Sequence, residues 1–198
     1  TGREIDYMRI SITDRCNLRC KYCMPGDIET TDMANLLTYE EIVKVTETAV
    51  SLGIRHVRLT GGEPLVRRGC VELVKKIKNI SGIDTVGMTT NGVLLAEYAR
   101  TLKEAGLDSV NVSLDTLDET EFQRLTGRNE LKAVLAGIRA AQEAEIPVKI
   151  NTVHYKNLDW RAVLAYADER QIPVRFIEMM PIGYGADYTG RSNEELFR

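Results

Sequence analysis

Three of the four cysteines in this chain stand close together. Cys16, Cys20 and Cys23 lie within the stretch "CNLRCKYCMPG" (16–26), and the fourth, Cys70, stands apart in "RRGC". Thiolates bind soft metal ions and iron–sulfur clusters, and they are also nucleophiles. In a reducing cytosol, clustered cysteines are more typical of a metal site or a catalytic site than of disulfides. The spacing therefore indicates metal or thiol chemistry in one loop.

Two metal chemistries compete for these thiols. Structural zinc has four closed ligands and catalytic zinc usually includes histidine, but His56 and His154 are distant in sequence and we expect ordinary strand residues there. A four-iron cluster normally takes four cysteines, so three would leave one iron open to a ligand that is itself the reagent. Cys70 could supply a fourth ligand, although its place at a helix start favours a buried structural thiol.

The predicted helices and strands that must position these residues alternate regularly along the chain. Helical patterns alternate with short β-rich runs, one opening with a capping box of Thr38 and Glu41, and two ending at Gly53 and Gly106. This repetition predicts an α/β fold with a parallel sheet and right-handed crossovers. Six strands fall short of a closed eight-stranded barrel, which leaves a partial (βα)6 barrel or a flat doubly wound sheet. The predicted strands span 8–13, 56–60, 85–90, 109–114, 148–153 and 174–180.

Polar and apolar residues alternate within these strands, whereas strands covered on both faces should be almost continuously apolar. The alternation indicates a sheet that curls around an interior filled with solvent or with a ligand. The alternative is a sheet with one solvent-exposed face. The side chains predicted for the polar face include Arg9, Ser11 and Thr13 on the first strand, Arg58 and Thr60 on the second, Asn111, Ser113 and Asp115 on the fourth, and Lys149 and Asn151 on the fifth.

The positive charges on this polar face indicate the charge of its ligand. Arg9, Arg58 and Lys149 come from three different strands, although the chain has a net charge of -3. An anionic substrate is implied, and a phosphate-bearing one fits well. The alternative is that Asp115, Glu63 or Glu178 pairs with these basic side chains inside the fold.

The composition limits the number of domains, the cellular location and the kinds of partner that we expect. A chain of 198 residues, 43% of them hydrophobic, can bury one core. No run of 18 apolar residues predicts a membrane span, and no secretion signal is evident, so we expect a cytoplasmic protein that does not bind membranes. The net negative charge argues against general nucleic-acid binding.

Several motifs together resemble those of a known family. The CxxxCxxC spacing with Tyr22 before the last cysteine, and "GGEPL" (61–65) after the second strand, resemble the radical S-adenosylmethionine superfamily. More narrowly, the chain is similar to the molybdenum cofactor biosynthesis protein A family, the GTP 3′,8-cyclases. The stretches that carry this likeness are "RISITDRCNLRCKYCMP", "RLTGGEPLVRR", "TTNGVLL", "VNVSLDTLD" and "RFIEMMPIG".

The resemblance implies a fold and a cofactor set. It implies a partial barrel of the radical S-adenosylmethionine type over residues 1–183, with 184–198 beginning a truncated C-terminal extension. Cys16, Cys20 and Cys23 would hold a 4Fe-4S cluster whose open iron chelates S-adenosylmethionine. The chemistry would be carried by a 5′-deoxyadenosyl radical, so no protein side chain is assigned as catalytic. The implied contacts to S-adenosylmethionine are Tyr22, Gly62, Glu63, Ser113 and Met180, with Gly62 admitting the methionine moiety and Glu63 accepting from its amino group.

The resemblance also implies the substrate. GTP would contact Arg9, Arg58, Thr89 and Lys149, so the three basic residues found from strand alternation are those that the family uses. The radical would abstract a ribose hydrogen, and the resulting carbon radical would attack C8 of the purine. A flavodoxin-like or ferredoxin-like electron donor is expected. The oligomeric state, monomer or homodimer, stays open. Family members carry a second cluster in a C-terminal region that lies beyond this chain.

Two other functions stay open from the sequence. Another radical S-adenosylmethionine enzyme, such as a peptide-modifying one, would share the cysteines and "GGEP" but would not need Arg9, Arg58 and Lys149 on one face. A non-enzymatic iron–sulfur electron carrier would need a fourth ligand, for which Cys70 is the candidate, and no cofactor pocket.

Overall fold

The computed structural model describes residues 2, 4–24, 30–154, 158–180, 185, 186, 192 and 194. These residues form a six-stranded sheet in which the strands follow sequence order and every neighbouring pair is parallel. The predicted α/β fold with parallel strands in a partial (βα)6 barrel is confirmed. The predicted extension over 184–198 lies almost entirely outside the described residues. The strands are Tyr7–Ser11 (β1), His56–Thr60 (β2), Thr85–Thr90 (β3), Ser109–Ser113 (β4), Val148–Val153 (β5) and Val174–Ile177 (β6).

The end of β1 differs from the prediction for a physical reason. Ile12 still donates its N–H to the carbonyl of Thr60, at 2.9 Å. The Ile12 carbonyl accepts from Arg67 Nη1 at 2.6 Å, and the Thr13 carbonyl accepts from the N–H of Gly62 at 2.7 Å. The chain therefore leaves the ladder to bind the loop after β2, and the strand ends before residue 13.

Six α-helices connect and cover the strands in the described part of the chain. Thr38 caps the first helix through the predicted capping box with Glu41. The fourth helix was not predicted, although Asp118 accepts from the Glu121 N–H at its start and Gly127 ends it with a φ of 69°. The helices are Tyr39–Ser51 (α1), Cys70–Lys78 (α2), Leu95–Glu104 (α3), Glu119–Thr126 (α4), Leu131–Glu143 (α5) and Trp160–Glu169 (α6).

The core lies between the apolar face of the sheet and the helices. On β2, Val57 and Leu59 are buried, while the alternating Arg58 is only half-buried. Helix side chains such as Leu73 and Ile138 pack against the buried face. The opposite, polar face of the sheet carries Arg58, and we call it the inner face. No helix among the described residues is long and apolar enough to cross a membrane.

Candidate active site

The three clustered cysteines lie in one loop at the carboxyl end of β1, residues 12–24, which we call the cysteine loop. Cys16 and Cys20 are half-buried and pack against the core, whereas Cys23 is exposed. The Cys20 carbonyl accepts from the N–H groups of Cys23, at 3.0 Å, and Met24, at 2.8 Å. This turn holds Cys20 and Cys23 in a fixed relation to each other.

The C-terminal end of α4 anchors the cysteine loop from one side. The N–H of Arg19 donates to the Thr126 carbonyl at 2.8 Å, and the N–H of Lys21 donates to the Leu125 carbonyl at 3.0 Å. The last carbonyls of a helix have no partner within the helix. The short helix that the sequence prediction missed therefore supplies acceptors to the backbone between the predicted cluster ligands.

The Gly61–Gly62–Glu63 segment after β2 anchors the loop from the other side. Gly62 donates to Thr13, as described above, and the N–H of Glu63 donates to the Arg15 carbonyl at 2.8 Å. A Cβ at Gly61 would overlap the Thr13 carbonyl oxygen, and one at Gly62 would overlap that of Arg15. Glycine is thus required here for the approach of the cysteine loop, while the predicted contact of Gly62 with S-adenosylmethionine stays a prediction.

The Glu63 side chain is fully buried, at 0% exposure. Its Oε1 accepts from the Leu65 N–H at 3.1 Å and from the Thr90 hydroxyl at 2.7 Å, and its Oε2 accepts from the Asn91 N–H at 2.6 Å. Burial raises the pKa of Glu63, and these hydrogen bonds oppose the rise. Glu63 therefore clamps the ends of β2 and β3 together, and a direct bond to a cofactor amino group stays a prediction.

Burial disfavours the ionised form of the three clustered thiols in the metal-free protein. Burial raises the pKa of all three thiols, that of Cys20 to about 12, where the Asp115 carboxylate and the Cys16 and Cys23 sulfurs add to the effect of burial. The three sulfurs thus lie near enough to influence one another. Metal binding to such thiols displaces their protons.

The donor set suits a cluster better than a single ion. Within the described ranges, no group of three or more His, Cys, Asp or Glu side chains is arranged to hold one metal ion. An iron–sulfur cluster attaches each thiolate to a different iron, so the sulfurs need not converge on one point. Three mutually influencing thiols on one anchored loop fit such a cluster.

Cys70 is placed elsewhere. It begins α2, is 4% exposed and belongs to the hydrophobic core. Burial raises the pKa of this thiol to about 12. This position agrees with the buried structural thiol expected from the sequence.

A small cavity lies beside the cysteine loop. Its lining includes Cys20, Tyr22, Asn91, Ser113 and Asp115. Two of the predicted cofactor contacts, Tyr22 and Ser113, therefore meet at one cavity next to a predicted cluster ligand. Met180, another predicted contact, follows β6 and is 62% exposed.

The inner face of the sheet presents the predicted substrate residues. Arg9 on β1 is paired in register with Arg58 on β2, and Thr89 on β3 with Asn111 on β4, which in turn pairs with Lys149 on β5. These residues lie on the same face as Ser113, because alternate residues of a strand point the same way.

Arg58 is held in place by neighbouring strands. Its Nη1 donates to the Met88 carbonyl at 2.9 Å and its Nη2 to the Ser109 hydroxyl at 3.3 Å. The guanidinium lies over Gly87, where an added Cβ would come within 2.6 Å of Nη2. The carboxylates of Glu63 and Asp115 bind other groups, so the structure does not show the pairing of these two with basic side chains that was considered from the sequence.

Comparison with known proteins defines the class. The family model described as "Radical SAM superfamily" matches residues 10–169. The structure of Streptococcus suis SuiB bound to S-adenosylmethionine has a TM-score of 0.81 at 19% identity and covers 98% of this chain and 45% of SuiB. HydG, a maturase of the [FeFe]-hydrogenase, has a TM-score of 0.75 at 15% identity and covers 96% of this chain and 47% of HydG. At such identities these structures show the shared fold. The chain belongs to the radical S-adenosylmethionine superfamily.

Curated relatives are similar in sequence as well. The GTP 3′,8-cyclase of Petrotoga mobilis is 48% identical over 92% of this chain and 58% of its own length. That of Clostridium perfringens strain 13 is 47% identical over 98% of this chain and 62% of its own length. The chain thus spans about three fifths of these relatives.

Three features of the site escaped the sequence prediction. The carbonyls at the end of α4 and the amide of Asn91 bind the cysteine loop, and Asp115 accepts from Tyr22 rather than pairing with a basic residue. The "LDETEFQRLTG" stretch does contain an N-cap and a C-terminal glycine that could have revealed α4. No local signal identifies Cys16 and Asn17 as partners of the Asn91 amide nitrogen, because they lie on another loop.

Proposed function

We propose that this chain is the barrel part of a GTP 3′,8-cyclase, with a 4Fe-4S cluster on Cys16, Cys20 and Cys23 and with S-adenosylmethionine as its cofactor. The similarity to two GTP 3′,8-cyclases at 47% and 48% identity supports this activity. When bound, the cluster and S-adenosylmethionine would together supply a 5′-deoxyadenosyl radical, with one electron consumed and methionine released. The protein's own task is to hold GTP and the cofactor in contact and to keep water away.

The observation that carries the proposal is the pair of arginines on the inner face. Arg9 and Arg58 are register partners on neighbouring strands, and the Arg58 guanidinium extends over Gly87 to Ser109 on β4, so positive charge is spread along the inner face. Arginine side chains that share one face can bind an anion together. A triphosphate supplies that anion and can accept forked hydrogen bonds from a guanidinium. Lys149 adds a third positive charge to this face.

The same arrangement gives the other residues their roles. Thr89, one strand further along the inner face, would contact the nucleoside. Tyr22, Gly62, Ser113 and Met180 would contact S-adenosylmethionine, the first and third from the cavity beside Cys20. The electron donor of the flavodoxin or ferredoxin type, a homodimer and a cytoplasmic location stay predictions.

The two alternative functions have less support. The solved structures with the same fold that hold a peptide, anSMEcpe with the Kp18Cys peptide and SuiB with the precursor peptide SuiA, are 18% to 19% identical to this chain, and this likeness shows the fold alone. The electron carrier requires Cys70 as a ligand, and Cys70 lies in the core at the start of α2.

Anaerobic turnover tests the proposal. The reconstituted protein is reduced with dithionite and given S-adenosylmethionine with and without GTP, and 5′-deoxyadenosine is measured by chromatography. We expect GTP to stimulate its formation, Cys16→Ala to abolish it and Arg58→Ala to weaken the stimulation. Arg100→Ala, on the exposed surface of α3, is the control and should behave as the wild type. A protein with a full cluster that forms no 5′-deoxyadenosine would contradict the proposal.

A further inference from the structure

Asn91, at the carboxyl end of β3, has a side chain that reaches a predicted cluster ligand from outside the cysteine loop. Its Nδ2 lies 3.6 Å from Cys16 Sγ and donates to Asn17 Oδ1 at 2.7 Å. A side-chain amide carries two hydrogens on this nitrogen, so both contacts can be made at once. Asn91 therefore presents a donor to the sulfur of Cys16.

The orientation of this amide is fixed by the turn that follows it. The N–H of Val93 donates to Asn91 Oδ1 at 3.0 Å. Because that acceptor must be the oxygen, the nitrogen must face the cysteine loop. A flipped amide would lose the bond from Val93 and would turn its oxygen toward Cys16.

The backbone of Asn91 is fixed as well. Its N–H donates to Oε2 of the fully buried Glu63 at 2.6 Å, and the other oxygen of Glu63 binds Leu65 and Thr90. The distance from Asn91 to Cys16 is thus set by the clamp between β2 and β3. A donor held from its backbone and its side chain loses little conformational freedom when it binds a ligand.

A second donor reaches the same sulfur. The N–H of Leu18 lies 3.4 Å from Cys16 Sγ. Hydrogen bonds to the sulfurs are among the features that set the reduction potential of an iron–sulfur cluster. Donation to a thiolate withdraws negative charge from it, and this favours the more negative, reduced cluster. Groups that bind metal ligands in this way commonly tune the metal.

We infer that Asn91 is a positioning residue that raises the reduction potential of the cluster through its hydrogen bond to Cys16. The inference rests on the proposed function, since it needs a cluster on the three cysteines. It assigns to Asn91 and to the Glu63 clamp behind it a role in making the cluster easier to reduce. The effect acts on the cluster before any substrate is bound.

The test is an anaerobic redox titration of the reconstituted protein without GTP, followed by electron paramagnetic resonance, together with iron analysis. Asn91→Ala removes the donor. Asn91→Ser also removes it but keeps a hydroxyl that can accept from the Val93 N–H, so the turn is retained. Val93→Ala is the matched control, because it changes the same loop and leaves the Asn91 amide in place.

We expect a more negative midpoint potential in both Asn91 variants and an unchanged one in Val93→Ala. One hydrogen bond changes an equilibrium by a factor of roughly 2 to 10, so the ratio of reduced to oxidised cluster at a fixed potential should fall by that factor. Iron content should stay at the wild-type value.

Three results would overturn the inference. Equal midpoint potentials in the wild type and in both Asn91 variants would show that Asn91 does not tune the cluster. Loss of iron from both variants would show that Asn91 retains the cluster and does not tune it. A wild-type protein that takes up no cluster would remove the proposed function together with the inference, whereas a loaded wild type with unshifted variants removes only the inference.

Discussion

Tyr22 and Asp115 are joined by a hydrogen bond of 2.9 Å from the tyrosine hydroxyl to Oδ2 of the carboxylate. The other oxygen of Asp115 accepts from the N–H of Val153, at the end of β5, at 2.8 Å. The bond therefore ties the cysteine loop to the carboxyl ends of β4 and β5. Together with the anchors at α4 and Gly62, it holds the loop from three sides.

Tyr22→Phe removes this tie without changing the volume of the ring. Hydrogen bonds to charged groups contribute about 1.5–3 kcal/mol, so we expect the free energy of unfolding of the metal-free protein to fall by about 1–2 kcal/mol. Urea denaturation measures this change. Tyr98→Phe, on the half-buried surface of α3, is the control. An equal loss of unfolding free energy in both variants would show that the bond to Asp115 does not stabilise the fold.

Asp115 should make the stability of the metal-free protein depend on pH. Burial raises its pKa from 3.8 to about 6, and the bonds from Val153 and Tyr22 only partly oppose this. The folded state thus holds the proton more tightly than the unfolded state, so stability falls as the pH rises from about 4 to 6. At 1.36 kcal/mol per pKa unit, the loss is about 2–3 kcal/mol.

Asp115→Asn cannot ionise and should abolish that loss. In urea denaturation at about pH 4 and about pH 7.5, the variant should gain stability over the wild type at the higher pH only. Parallel pH profiles for the two proteins would contradict the assignment.

Gly62→Ala should disrupt the cysteine loop, because the new Cβ would overlap the carbonyl oxygen of Arg15. Backbone on both sides must shift to relieve the overlap, so we expect the reconstituted protein to bind several-fold less iron per chain. Gly2→Ala is the matched control, since no atom lies within 4 Å of its added Cβ. Full iron content in Gly62→Ala would show that the loop tolerates the displacement.

Gly87→Ala should separate nucleotide binding from folding. The added Cβ meets the end of the flexible Arg58 side chain, so the guanidinium can move away at little cost in stability, less than about 1 kcal/mol. The displaced charge should weaken GTP binding about tenfold, as one lost charge-assisted contact would. Titration calorimetry measures the affinity, and Arg58→Ala should weaken it to a similar degree. Unchanged GTP affinity in Gly87→Ala would place the nucleotide away from Arg58.

The inner face could be predicted from the sequence because it depends on a local rule. Alternate residues of a strand share a face, so the strand pattern alone places Arg9, Arg58 and Lys149 on one side of the sheet. The pairing register of β1 with β2, which alternation does not predict, makes Arg9 and Arg58 direct neighbours. Register depends on pairing between distant segments, and no local pattern encodes it.

The supports of the cysteine loop could not be predicted for the same reason. The contact of Gly62 with a cofactor stays a prediction, and the structure adds that the atom its missing Cβ would meet belongs to Arg15, in the loop after another strand. The contact of Glu63 with the cofactor also stays a prediction, and the structure adds that its carboxylate binds the backbone after two strands. The helix α4 was missed because its amphipathic pattern is short, with Phe122, Leu125 and Thr126 as its buried residues.

Hydrogen transfer from GTP to the adenosyl group tests the central claim most directly. The loaded, reduced protein is given S-adenosylmethionine and GTP that carries deuterium at C3′ of the ribose, and 5′-deoxyadenosine is examined by mass spectrometry. A GTP site on the inner face beside the cysteine loop predicts 5′-deoxyadenosine one mass unit heavier than with unlabelled GTP. Arg58→Ala should lower its yield. Formation of 5′-deoxyadenosine that carries no deuterium and does not depend on GTP would contradict the claim that GTP is the substrate.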